Sequence, residues 1–342
     1  MKVLMIANMY PSKNNCSGNF IRDQVKSLES RGIDVDKVVK KSRNPLYYIP
    51  FLLHSVSKLF FSDYDVIHAH FVPHSALMPA IFKRKPLVIQ FHGSDARLIP
   101  WKNRFNYYLT VYVIRKADVI IAVSEEIKTI LVSRFGVLSS KIEVISVGVD
   151  TEMFYPMNKQ EVRMSLGIGA EKKIALFVGR ITEMKGVDLL YKCASLTPDI
   201  DYVFIGKKND EKGKTLKNCV FVGELSHSKI PLWMNAADII VLPSYSEGLP
   251  TVVAEALSCG IPAIVSDVGG CPEIVEDGVT GFVIGVGDVN QLVDRTLSLF
   301  SEKGITQKMG NSGRLYVVER YDHKYLIDKL IVIYENLCEC NS

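Results

Sequence analysis

The chain reads as an α/β protein of two domains, each built on a parallel sheet. Three observations predict this. Apolar, β-branched runs like buried strands alternate with amphipathic helical stretches from one end to the other, the pattern of repeated βαβ units. The length, 342 residues, is long for one domain and comfortable for two. The polar residues best suited to chemistry follow directly on the apolar runs, at the expected carboxyl edges of parallel strands, where open α/β sheets bind ligands.

Lys2 to Asn8 is a short apolar strand, and Pro11 to Gly18, rich in Pro, Ser, Asn and Gly, is the loop after it. A helix is expected over Asn19 to Ser30, where Phe20, Ile21, Val25 and Leu28 form one stripe, and Arg31-Gly32 ends it before the strand Ile33 to Val39. Neither this βαβ opening nor the rest of the chain carries G-x-G-x-x-G, which counts against a nicotinamide enzyme. Asp65 to Ala69 and Leu87 to Phe91 are further buried strands, separated by the helix-like Ser75 to Phe82. His70 closes DVIHAH after the first, and His92 opens HGSD after the second. A long helix, Asn103 to Arg115, precedes the strand Val119 to Val123; Ser124 and another helix follow, and Ile142 to Val147 is the last strand of this half.

The second half opens with the strand Ile174 to Gly179 and Arg180, and Ile181 to Gly186 leads into a helix from Val187. Asp201 to Gly206 and Val220 to Gly223 continue the alternation. Ile239 to Leu242 is a buried strand, Pro243 ends its ladder, and Ser244 to Gly248 has turn composition. A helix should follow: Pro250 suits its first turn, Val252, Val253, Ala256 and Leu257 recur at helical spacing, and Gly260 is a C-terminal stop. Its first N–H groups, near Gly248 to Val252, suit an anion or a ring of hydroxyls. Ala263 to Ser266 and Gly281 to Ile284 are strands, and the terminal helix, His323 to Cys338, has Leu326, Leu330, Ile333 and Leu337 on one side.

An apolar fraction of 48% with ordinary charge content describes a globular protein without low-complexity segments. Seven cysteines, at positions 16, 193, 219, 259, 271, 338 and 340, form no CxxC pair, so a zinc site or disulfide framework is not expected and the cytoplasm fits best. MKVLMIANMYP reads as a first strand, not a signal peptide. The most apolar stretch, Pro45 to Phe61, is interrupted by His54 and Lys58 and falls short of the roughly 20 residues that a membrane span needs. No metal site is expected. The D-x-D triplets Asp34-Val35-Asp36, Asp63-Tyr64-Asp65 and Asp199-Ile200-Asp201 read as solvated strand ends, and His68, His70 and His74 of HAHFVPH as packing or loop hydrogen bonding. Residues 1–150 hold 21 Lys/Arg against 12 Asp/Glu, a net +9, whereas residues 151–342 hold 20 against 25, a net −5. That asymmetry is read as an anionic partner for the first half or as solvated lysines; no nucleic-acid partner is expected.

Glu247 and Glu255 stand apart by seven residues, one in the loop and one inside the helix, and both can face the crevice at the strand end. Singly, each is an ordinary surface charge. Together with E-G-L-P, the run A-x-x-C-G-I-P-A-I-V-S-D, Gly269-Gly270, Pro272-Glu273-Ile274-Val275 and Asp277-Gly278-Val279-Thr280-Gly281, they form one continuous text that resembles retaining glycosyltransferase family 4. The passage VGVDTEMFYP, Val147 to Pro156, is similar to that family's link between domains. The resemblance implies a GT-B fold, two Rossmann-like parallel-sheet domains facing across a cleft. Residues 1–152 would be the acceptor side, residues 153–322 would bind a nucleotide-sugar donor, and the helix in 323–342 would return to the first domain.

By the same resemblance Arg180 and Lys185 hold the donor diphosphate, the arginine as a planar fork and the lysine as a point charge, so no cofactor or metal is required. Glu255 is expected on the ribose and Glu247 on the sugar ring, with the backbone of Gly248, Leu249, Pro250 and Thr251 around them. His92 is expected at the donor sugar. Gly18 is either the phosphate-side glycine of the family or a plain turn glycine. The implied activity is retaining transfer from a UDP- or GDP-linked sugar to a glycan or lipid-linked acceptor. A nucleotide-sugar epimerase of similar fold and a catalytically silent nucleotide-binding relative are the alternatives. Pro45 to Phe61, with Lys37, Lys40, Lys41 and Arg43 upstream, suits either an anionic membrane surface on the cytoplasmic side or a core helix with solvated lysines.

Overall fold

The computed structural model describes residues 1–11, 18–40, 42, 44–207, 216–301 and 304–339, so the loop positions 12–17 and the predicted features Cys16, Lys41, Arg43 and Cys340 lie outside the described residues. The chain divides into two compact units. The first comprises Met1–Val147 together with the terminal helix His323–Glu339, and the second is Gly148–Asp322. The second unit starts ahead of the 152/153 division suggested by the sequence, because the Val149 N–H donates to the Tyr321 carbonyl at 2.8 Å and Val149 pairs with Asp322.

The first unit holds β1 (Lys2–Ala7), β2 (Asp34–Val39), β3 (Val66–His70), β4 (Leu87–Phe91), β5 (Val119–Ala122) and β6 (Ile142–Val144). Their order is β2-β1-β3-β4-β5-β6, every neighbouring pair parallel. β3 and β4 are buried along their whole length, as strands covered on both faces must be. The helices start where the sequence offers caps. Asn103 accepts from the Asn106 N–H at 2.8 Å and Ser124 from the Ile127 N–H at 3.2 Å, each satisfying a donor that the helix cannot, for about 1 kcal/mol. The terminal helix buries Leu326, Ile327, Leu330 and Tyr334 in this unit's core beside Ile21, Val25 and Leu28; Ile333 and Leu337, expected on the same face, are only partly covered.

The second unit holds β7 (Ile174–Val178), β8 (Asp201–Ile205), β9 (Cys219–Gly223), β10 (Ile239–Leu242), β11 (Ala263–Ser266) and β12 (Gly281–Ile284), again all parallel, in the order β12-β11-β10-β7-β8-β9. The chain winds outward from β7 in one direction and from β10 in the other. That reversal opens a crevice between the loops after β7 and β10, and the corresponding reversal in the first unit lies between β1 and β3. The D-x-D triplets carry structural roles in part: Asp36 pairs with Lys58 at 2.7 Å, Asp65 accepts from the Lys2 N–H at 2.8 Å, and Asp201 pairs with Lys172 at 2.8 Å. Among the described residues, no helix is long and apolar enough to cross a membrane.

Candidate active site

The loops after β7 and β10 meet backbone to backbone. Gly186, with φ 69°, lies so close to β10's end that a Cβ there would sit 1.9 Å from the Pro243 carbonyl oxygen, so only glycine fits. The Tyr245 N–H donates to the Met184 carbonyl at 3.0 Å and adds a second tie. From the other side, the Gly269-Gly270 turn supports the segment after β10: the Gly270 N–H donates to the Gly248 carbonyl at 2.6 Å, and a Cβ on Gly269 would lie 2.3 Å from the Glu247 carbonyl oxygen.

This scaffold carries the charges. Lys185 Nζ lies 2.6 and 2.8 Å from the two carboxylate oxygens of Glu247, and the Ser244 hydroxyl donates to the same carboxylate at 2.7 Å. Glu247 is buried and Lys185 partly exposed, so the pair is charge-assisted, held at the crevice floor, with the lysine open to an incoming ligand. Arg180 lies in the loop just after β7 with its side chain exposed. Gly248 and Leu249 are half-buried, Pro250 caps the helix rather than opening its first turn, and the helix runs Thr251–Ser258. Glu255, one turn in, is mostly covered; its Oε1 is 3.0 Å from His227 Nε2, and the His227 ring packs on Phe154. Carboxylates of this kind accept from vicinal hydroxyls, and the two cations suit phosphate oxygens.

In the first unit, His92 follows β4. Its N–H and that of Gly93 both donate to the buried Asp95 carboxylate, at 2.9 and 2.8 Å. Burial pushes the Asp95 carboxyl up to about 7, against the opposing pull of those N–H groups. The His92 imidazole packs against both Phe20 and Phe71, ring centres 4.9 and 4.5 Å away, and its Nε2 is 3.1 Å from His70 Nδ1. Lost hydration, then neighbouring His70, hold it well below the usual histidine range. Gly18 caps the helix Asn19–Ser30 with φ 85°; a Cβ there would lie 3.0 Å from the Met9 carbonyl oxygen, so its turn alone calls for glycine.

Lys185 and Glu247 are thus in contact. Glu255 engages His227, a residue that sequence reasoning passed over because a lone loop histidine carries no spacing signal. Ser244 was hidden in a turn-like run. Asp95 was legible only as the D of HGSD, and His70 stood in DVIHAH as a packing residue. Among the described residues, no group of three His, Cys, Asp or Glu side chains is placed to hold a metal ion.

Comparison with known proteins agrees with this architecture. The family described as Glycosyltransferase Family 4 matches residues 17–153, and Glycosyl transferases group 1 matches residues 158–316. TuaC of Bacillus subtilis (strain 168), assigned to teichuronic acid biosynthesis as a glycosyltransferase, is 29% identical over 79% of this chain and 82% of its own. Alpha-maltose-1-phosphate synthase of Mycobacterium tuberculosis (strain ATCC 25618 / H37Rv) is 27% identical over 80% and 79%. Among solved structures, sucrose-phosphate synthase from Thermosynechococcus elongatus superposes with a TM-score of 0.85 at 18% identity, covering 99% of both chains. Anabaena Alr3699/HepE in complex with UDP gives 0.81 at 21%, covering 98% of this chain and 100% of that one; at such identities these two show the fold. Two parallel-sheet units of this kind, together with these family matches, identify a GT-B glycosyltransferase. The chain belongs to the family 4 type of these enzymes.

Proposed function

We propose that the chain transfers a sugar, with retention of anomeric configuration, from a UDP- or GDP-linked donor to a glycan or lipid-linked glycan. The observation that carries this reading is Lys185 Nζ bridging both oxygens of Glu247 where the loops after β7 and β10 meet, with the exposed Arg180 in the same loop after β7. Lys185 and Arg180 bind the donor diphosphate and stabilise the negative charge that develops on it as the sugar departs, the task that a divalent metal performs elsewhere. Glu255 accepts from the ribose hydroxyls. Glu247, oriented by Ser244 and Lys185, accepts from the sugar hydroxyls, the Gly248 to Thr251 backbone lines the donor, and His92 donates to the sugar. Gly18 is read as the phosphate-side glycine. Attack on the same face, with a donor phosphate oxygen taking the acceptor proton, needs no general-base carboxylate.

Radiolabelled nucleotide sugars, offered with and without a lipid-linked acceptor and with EDTA, test this. Transfer that needs the acceptor and survives EDTA is expected. Turnover without acceptor would favour an epimerase, binding without turnover a silent relative, and loss in EDTA restored by magnesium or manganese would overturn the metal-free chemistry.

The acceptor reading rests on a surface of the first unit. The helices Tyr48–Phe61, Leu77–Ile81 and Arg104–Lys116 pack in sequence on one another, Phe60 meets Phe82 at 5.4 Å, and the Tyr112 hydroxyl donates to the Ala80 carbonyl at 3.4 Å. Phe51, Ser55 and Leu59 point inward, whereas Leu46 is 72% exposed, Leu53 66%, Phe61 88%, Phe105 71% and Tyr108 67%. Residues 40–117 contain 12 Lys/Arg, three Asp and no Glu. Arg84 stacks on Phe60 at 4.1 Å, and Lys102, Arg104, Arg115 and Lys116 are exposed. Apolar bulk ringed by cations suits an anionic bilayer, each nearby cation contributing about 1 kcal/mol. Its inner face, Phe51, Ser55 and Leu59, is that of a core helix, and the exposed outer face beside these cations supports the docking reading.

A further inference from the structure

We infer that His70 is a positioning residue for His92: its Nδ1–H donates to His92 Nε2, which leaves His92 to present Nδ1–H as a hydrogen-bond donor. The inference rests on reading His92 as a residue that contacts the donor sugar. His70 Nδ1 and His92 Nε2 are 3.1 Å apart, so one of them carries the shared proton. A neutral imidazole holds a single proton. If His92 Nε2 held the shared one, His70 would carry its own on Nε2, which is buried and has no hydrogen-bond partner among the described residues. An orphaned buried N–H is rarer and costlier than a bare acceptor nitrogen. The proton therefore belongs on His70 Nδ1, and neutral His92, with Nε2 occupied as acceptor, must be protonated on Nδ1.

Neutrality follows from burial, which draws His70 down to about 3 and holds His68 and His92 well below the usual range. The surroundings fix both rings. His70 packs at a tilt on His68 with ring centres 4.1 Å apart, and His68 Nδ1 lies 2.6 Å from the Tyr334 hydroxyl, which ties the cluster to the terminal helix. Phe71, next in the chain and packed on His92, has φ 64°, a conformation costing a bulky side chain about 1–3 kcal/mol and retained where surrounding structure imposes it. Asp95 pins the backbone of His92, so the ring's remaining freedom is the tautomer and rotation that His70 removes.

Long-range 1H–15N correlation on histidine-labelled protein at pH 7 reads the tautomers directly and needs no variant. Nδ1–H on both His70 and His92 is expected; Nε2–H on His92 overturns the proposal. His70→Asn keeps an N–H where Nδ1 stood and should retain the His92 tautomer, with kcat within a few-fold of wild type. His70→Phe keeps the stacking but removes the donor, and should mix the His92 tautomers and lower kcat roughly 10- to 100-fold, the scale for losing the partner that orients a functional histidine, with UDP or GDP affinity unchanged. Equal loss in both variants would reduce His70 to packing and overturn the inference. Nδ1–H tautomers in a wild-type protein that transfers no sugar would support the inference and count against the proposed function alone.

Discussion

Lys185 Nζ sits 2.6 Å from Glu247 Oε1 and 2.8 Å from Oε2, so the cation proposed for the diphosphate already neutralises the carboxylate proposed for the sugar. Removing the lysine should therefore cost twice. Lys185→Met should lower kcat roughly 10²- to 10³-fold, the scale of losing one stabilising group in a transition state. It should also lower unfolding stability by about 1–3 kcal/mol, less than for a fully enclosed pair because water reaches the lysine. Adding Glu247→Gln should recover much of the stability and none of the rate. Stability that falls further in the double variant would show that the pair is not coupled in this way.

Glu255→Ala should chiefly weaken nucleotide binding, whereas Glu247→Ala should mainly lower turnover, because one carboxylate is assigned to the ribose and the other to the sugar. His227 holds Glu255 at 3.0 Å, so His227→Ala should weaken the nucleotide too, but by less, roughly the 1 kcal/mol of one hydrogen bond. Calorimetry with UDP and GDP measures all three. Equal affinity in wild type and Glu255→Ala would sink the assignment.

Gly186→Ala should be one of the most damaging single-methyl changes in the second unit, since the new Cβ would overlap the Pro243 carbonyl at 1.9 Å from a backbone at φ 69°. A loss of about 2–4 kcal/mol in urea unfolding is expected, together with weaker donor binding, as the two loops part. A near-silent substitution would mean that the contact relaxes freely.

Leu53→Glu with Phe105→Glu should abolish cosedimentation with anionic liposomes while leaving nucleotide affinity intact, because both side chains are exposed on the cation-ringed face. Wild-type binding should fall with salt and be weak on neutral vesicles. Equal, salt-insensitive partitioning to both, or none to either, removes the membrane half of the acceptor reading.

Acid should destabilise the first unit through its histidines. Unfolded histidines take up protons below about pH 6.5, while folded His70 resists to about 3, so the unfolded state binds more protons and stability falls from pH 7 to pH 5. Asp95 opposes this. Raised to about 7, it holds in the fold a proton that the unfolded chain releases near pH 4, and its contribution is lost as pH rises between those values. In His70→Asn that residue's share disappears while those of His68 and His92 remain, and the difference in unfolding free energy between pH 7 and pH 5 should shrink by about 2 kcal/mol. Urea titrations at the two pH values check it; an unchanged difference would mean that His70 titrates freely.

Periodicity alone was enough for most elements. Ile239–Leu242, Ala263–Ser266 and Gly281–Ile284 form strands where their apolar runs lie, and Asn19–Ser30 is helical over its predicted span. A residue's alternation and its neighbours' polarity are local properties, and local sequence encodes them. The carboxyl-edge positions of His92, Arg180 and Glu247 were legible for the same reason, since parallel strands all end on one side. What tertiary structure decided is who meets whom. Lys185 and Glu247 are 62 positions apart, and His68 and Tyr334 are 266 apart. Their pairing follows from the winding of β7 beside β10 and from the return of the terminal helix to the first core, neither of which a window of sequence contains. Protonation was equally out of reach. Asp95 at about 7 and His70 at about 3 reflect water excluded by the whole fold, and the same side chains on a loop would titrate normally.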